Sequence, residues 1–136
     1  AKKYDNAFSD KPLITPFQQK YNYSSYHLYI IRLNNALGNL NKLNLFKSLR
    51  EAGILVNLHY IPVYQQPFYE NMGYNNEDYP ESEKYYEEAL SIPIHTLLNN
   101  EDQDFVIENI LNFLSRQKTF MKNNNNEDLE GFQTIF

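Results

Sequence analysis

Polar and apolar positions along the chain alternate between strand-like runs and helix-like spacing. Residues 24–33 (SSYHLYIIRL) are rich in Tyr, Ile and Leu on both alternating faces, which predicts a buried strand over that span. Residues 34–41 set one Gly among four Asn and read as a loop. From residue 42 to 52, Leu43, Phe46 and Leu49 recur at helical spacing with Leu45 and Ala52 beside them, and Gly53 follows as a left-handed stop. Residues 54–61 (ILVNLHYI) predict a second strand, ended by Pro62. Alternation there puts Asn57 and His59 on one face and Val56, Leu58 and Tyr60 on the other.

Residues 63–76 read as an aromatic loop or broken helix containing Gly73. The D-x-x-E pattern from Asp78 to Glu81, with Pro80 between them, predicts a capped helix running to about Leu90. Residues 91–95 (SIPIH) read as a short extended piece. Asn100 is placed to cap a last helix, with Glu101 and Asp102 in its first turn. Its apolar stripe is Val106, Ile110, Phe113 and Leu114, flanked by Ile107 and Leu111, and it fails after Arg116. At the other end, residues 1–8 read as the tail of a helix, and Pro12 and Pro16 impose extended backbone after it. The resulting order is strand, helix, strand, helix, short strand, helix. That order predicts an α/β (α+β) domain with helices packed on a small sheet.

Composition supports one folded unit. The chain has 136 residues, 42% hydrophobic and 21% charged, enough length to bury a core without covalent staples. The expected division is a helix end and linker over 1–22, the domain proper over 23–117, and a polar tail over 118–136 that contains the Asn run 123–126. A net charge of -5 argues against phosphate-backbone binding, so no nucleic-acid partner is expected. No run of about 18 apolar residues occurs, so no membrane-spanning helix is expected. The N-terminus lacks the apolar core of a signal peptide and lacks an initiator Met, as in a chain that begins mid-protein or is processed. Cysteine is absent, which removes disulfides, thiolate metal sites and a cysteine nucleophile and fits a cytoplasmic location.

Candidate chemistry is sparse. His27, His59 and His95 form no metal-binding spacing. His27 and His59 fall within predicted apolar strands, where a neutral, hydrogen-bonded His and a ligand contact at a strand end are the two readings. Glu81, Glu83, Glu87 and Glu88 read most simply as the solvated face of a helix. Arg32 stands near a strand end, where it meets either a carboxylate or a phosphate. The unusual segment is AGILVNLHYIPVYQQPFY, residues 52–69. There Pro62 and Pro67 stiffen a backbone that presents Tyr60, Tyr64 and Tyr69 at low entropic cost on binding.

With that segment the chain resembles the DegT/DnrJ/EryC1/StrS family of sugar aminotransferases. Four blocks carry the resemblance in order: AKKYDNAF, SSYHLYIIRL, LFKSLREAGILVNLHYIPVYQQPFY and YPESEKYYEEALSIPIHTLLNNEDQDFVIENI. The HYIPVYQQPFY wording is most similar to the branch that aminates a UDP-linked 4-keto-6-deoxy sugar on the way to pseudaminic acid. The resemblance covers about residues 1–117. It implies the C-terminal small domain of a fold type I enzyme that uses pyridoxal 5'-phosphate (PLP), works as a homodimer and takes its amino group from glutamate.

The resemblance also implies that the lysine holding PLP lies in an N-terminal large domain that this chain lacks, as do the other groups that hold it. No lysine here aligns with it, so the chain alone is expected to bind no PLP and to be inactive. What remains is a wall of the nucleotide-sugar cleft, for which His59, Tyr60 and Pro62 are the first candidates and His27 the second, the other reading being that these residues only hold the small-domain sheet together. Two alternatives stay open: a stand-alone, non-catalytic module that binds sugar nucleotides or proteins, and a remnant without activity.

Overall fold

The computed structural model describes residues 1–35, 40–58 and 60–130, the side chains of 118–130 excepted. His59, residues 36–39 of the Asn-rich loop and residues 131–136 lie outside the described residues. The chain runs α1 (Lys2–Phe8), β1 (Leu13–Ile14), β2 (Tyr29–Leu33), α2 (Lys42–Glu51), β3 (Asn57–Leu58), α3 (Pro67–Glu70), α4 (Pro80–Glu88), β4 (Ala89–Ile92) and α5 (Asn100–Glu130). Short 3-10 turns occupy Val63–Gln65 and Asn76–Asp78.

The strands form one antiparallel sheet in the order β1-β2-β4-β3. On β2, Tyr29, Ile31 and Leu33 are buried while Ile30 and Arg32 are only partly covered. Register sets Tyr29 opposite Ile92 and Ile31 opposite Leu90, so the central pair turns one apolar face to the core. Against that face pack Tyr4 and Phe8 of α1, Leu45 and Leu49 of α2, and Val106, Ile110, Phe113 and Leu114 of α5. The N-terminal stretch is therefore built into the core. Tyr4 and Tyr29 sit 5.0 Å apart. Each buried phenol is satisfied, Tyr4 donating to the Pro93 carbonyl at 2.9 Å and Tyr29 to the Asp5 carboxylate at 2.5 Å.

Helix α2 follows its sequence closely. Asn41 accepts from the Asn44 N–H at 3.0 Å as the N-cap. Gly53, at φ +81°, closes the helix, with its N–H bonded to the Arg50 carbonyl and the Ile54 N–H bonded to the Leu49 carbonyl. Those two bonds make a Schellman stop, which needs a left-handed residue at this position.

Several predicted boundaries move. The first strand begins at Tyr29 and not at Ser24, because Tyr26 takes φ +49° and its N–H bonds to the Ser24 hydroxyl. The second strand shrinks to Asn57–Leu58. Val56 is buried, and Leu58 lies opposite Leu90, but at the sheet edge it stays 39% exposed, while Tyr60 is 92% exposed beyond the strand. Asp78 is no cap: it lies in the preceding turn, and α4 starts after Tyr79 with no side-chain cap. Strand β4 begins at Ala89, directly after α4. Asn99, one residue before the expected Asn100, caps α5 by accepting from the Asp102 N–H at 2.7 Å. Among the described side chains of α5 the last buried one is Leu114, and the helical backbone continues to Glu130.

Candidate functional site

Two regions carry the candidate residues. The first is a cavity of about 510 Å³ between the β4 end, the Gly53–Leu55 stretch and the first turns of α5. That volume suits a small ligand. His27 and His95 both open onto it, joined by Asn57, Ser91 and Asp102 among apolar walls that include Ile54 and Phe105. His27 is exposed and precedes its strand, contrary to the buried strand position its neighbours predicted. The strand starts late because Tyr26 turns the chain.

The second region is the aromatic segment after β3. Tyr60 is 92% exposed, and Pro62 is half-buried at the head of the Val63–Gln65 turn. Neither lines the cavity that His27 faces, and His59 lies outside the described residues. Tyr64 and Gln65 both donate to Oε1 of Glu83, each at 2.5 Å. The Tyr64 ring stacks on Tyr79 with centroids 4.5 Å apart. Burial, and then the Glu83 carboxylate, push the Tyr64 phenol up to about 12.

Behind this segment, Glu88 overturns the expected solvated face of α4. Its side chain is only 6% exposed, and it accepts from the Arg32 guanidinium at 2.6 and 3.0 Å. Arg32 thus meets a carboxylate, with the Tyr85 ring stacked 5.4 Å from its guanidinium carbon. Glu83, expected on the same solvated face, instead accepts from Tyr64 and Gln65. The only signal available was its place three residues into a helix that follows two tyrosines and a turn, which does not single out one glutamate of four.

PLP makes specific demands on the groups that hold it. A site for it needs a lysine and a cradle of cations or N–H donors for the phosphate. Among the described residues no Lys or Arg lines the cavity. Lys42 has its pKa lowered by burial, with Glu87 opposing, but its ammonium donates to the Tyr86 carbonyl and lies 4.3 Å from the Tyr86 ring centroid. The lining of this cavity therefore does not fit PLP. Among the described residues, no group of three or more metal-ligating side chains converges either.

A family model described as the DegT/DnrJ/EryC1/StrS aminotransferase family matches residues 1–111. The chain belongs to this family. It is 32% identical over 111 residues to the Bacillus subtilis spore coat polysaccharide biosynthesis protein SpsC, covering 79% of this chain and 28% of that protein. It is 33% identical over 109 residues to the Helicobacter pylori UDP-4-amino-4,6-dideoxy-N-acetyl-beta-L-altrosamine transaminase, covering 79% of this chain and 28% of the transaminase. The PLP-form structure of Spr1654 from Streptococcus pneumoniae superposes with a TM-score of 0.73 at 27% identity, over 87% of this chain and 29% of that one. The chain thus spans less than a third of the length of these aminotransferase-family relatives. No described helix is long and apolar enough to cross a membrane.

Proposed function

We propose that this chain supplies the C-terminal small domain of a nucleotide-sugar aminotransferase. The active unit would be a homodimer whose large domain holds PLP and whose amino donor is glutamate. PLP, when bound there, supplies the electron sink for amino transfer. This chain contributes an α/β support and a wall of the substrate cleft, with His59, Tyr60 and Pro62 the first candidates for contact with the nucleotide sugar and His27, on the separate cavity, the second. The substrate class is a UDP-linked 4-keto-6-deoxy sugar. The observation that carries this reading is the family match over residues 1–111, which leaves most of the relatives' length without a counterpart here. The absence of any described lysine or arginine from the cavity beside His27 supports placing the cofactor outside this chain.

The test has two arms. The chain alone, incubated with PLP, is expected to form no saturable, borohydride-reducible lysine adduct and to show no turnover. Joined to the family's large domain, it is expected to transfer the amino group from glutamate to a UDP-4-keto-6-deoxy sugar. A stoichiometric adduct on one lysine of the chain alone would refute the placement of the cofactor.

A further inference from the structure

The Val63–Gln65 turn has little to hold it from within. It is a single 3-10 turn closed by the Gln65 N–H on the Pro62 carbonyl and the Gln66 N–H on the Val63 carbonyl, both at 3.0 Å. Such short turns have poor hydrogen-bond geometry and no cooperativity to draw on. Burial does not fix it either, since none of its residues is buried and Val63 is 63% exposed. Yet the turn begins at Pro62, two residues after the 92% exposed Tyr60.

What ties the turn down comes from α4. Two consecutive side chains, Tyr64 and Gln65, converge on a single oxygen of Glu83. Neighbouring side chains on a turn diverge, so one acceptor shared by both fixes the roll of the turn as well as its distance from the helix. Bonds to a charged acceptor are the stronger kind. The Tyr64–Tyr79 stack closes the same contact from the side. Glu83 is itself well placed, because its N–H bonds to the Tyr79 carbonyl in the first turn of α4. The far end of that helix is held to the sheet through Glu88 and Arg32. A continuous chain of contacts therefore runs from β2 through α4 to Pro62.

We propose that Glu83 is a positioning residue that clamps the turn after Pro62 to α4 and so sets how Tyr60 and Pro62 are presented to the ligand. The proposal rests on the reading of Tyr60 and Pro62 as substrate-facing, and its test separates the two. Amide hydrogen exchange, followed by NMR on the whole chain, reads the clamp directly at Gln65 and Gln66. In Glu83→Ala these two amides are expected to exchange about ten-fold faster, with those of α2 and β2 unchanged. Glu83→Gln keeps an amide oxygen that can accept from both donors and is expected to restore most of the protection.

The clamp is overturned by any of three results: no protection of these amides in the native chain, no change in Glu83→Ala, or equal acceleration throughout α2 and β2. A Gln variant as unprotected as the Ala variant also counts against it. The second readout is kinetic, with the chain joined to the large domain. There Glu83→Ala is expected to raise KM for the nucleotide sugar about ten-fold with kcat little changed. Faster exchange with an unaltered KM would leave the clamp standing and remove Tyr60 and Pro62 from the substrate site.

Discussion

The Arg32–Glu88 pair is asymmetric, and that asymmetry can be measured. Glu88 is 6% exposed and Arg32 27% exposed at the side chain, and two guanidinium nitrogens share one Glu88 oxygen. Glu88 is also the last residue of α4, where the helix dipole disfavours a negative charge. Arg32→Met would strand that carboxylate without a partner or water, at a cost of about 3 kcal/mol, the lower end for breaking a buried pair. Glu88→Gln leaves an acceptor of similar shape, and the guanidinium can still reach solvent. Its cost should be about 1 kcal/mol. The double variant Arg32→Met/Glu88→Met should be milder than Arg32→Met alone, because no charge is left buried.

Urea unfolding at neutral pH, with the slope checked for constancy, measures all three. At roughly 3 °C per kcal/mol for a domain of this size, the two single variants should lower Tm by about 9 and about 3 °C. Equal losses for the two single variants, or a double variant no better than Arg32→Met, would refute the claim that burial of the carboxylate dominates.

Two further outcomes follow from the core and from α2. Burial pushes the Tyr4 phenol from 10.0 up to about 12. The folded form thus holds its proton longer than the unfolded chain, so its stabilisation is intact below pH 10 and is lost as pH rises toward 12. Tyr4→Phe should lower stability by about 1 kcal/mol at neutral pH through loss of the Pro93 bond, yet flatten the alkaline decline; urea midpoints on both sides of pH 10 check this. Gly53→Ala should cost about 1 kcal/mol in thermal unfolding. A Cβ at Gly53 would meet nothing within 4 Å, so the whole cost is backbone conformation at φ +81°. A neutral substitution there would mean that the helix end shifts to a different stop.

The parts of this protein legible in its sequence are those whose signals are local. Leu45 and Leu49 with Gly53 specify α2 and its stop, because a 3.6-residue period and a left-handed residue are written within a dozen positions. The stripe from Val106 to Leu114 specifies the buried face of α5 in the same way. The blocks around HYIPVYQQPFY were enough to point to the family. Strand lengths were not legible, since apolar residues continue past the ends of β2 and β3, and only Tyr26 at φ +49° and the neighbouring strand decide where pairing stops.

The same limit applies to the site. Four glutamates of α4 look alike in sequence. Register sets Arg32 beside Ala89, which brings Glu88 under the guanidinium, while the turn after Pro62 folds back to place Tyr64 and Gln65 on Glu83. Spacing along one helix says which side chains share a face. Which of those carboxylates is buried, and what it holds, depends on partners 56 and 19 residues away, and only the tertiary fold brings them within hydrogen-bond distance.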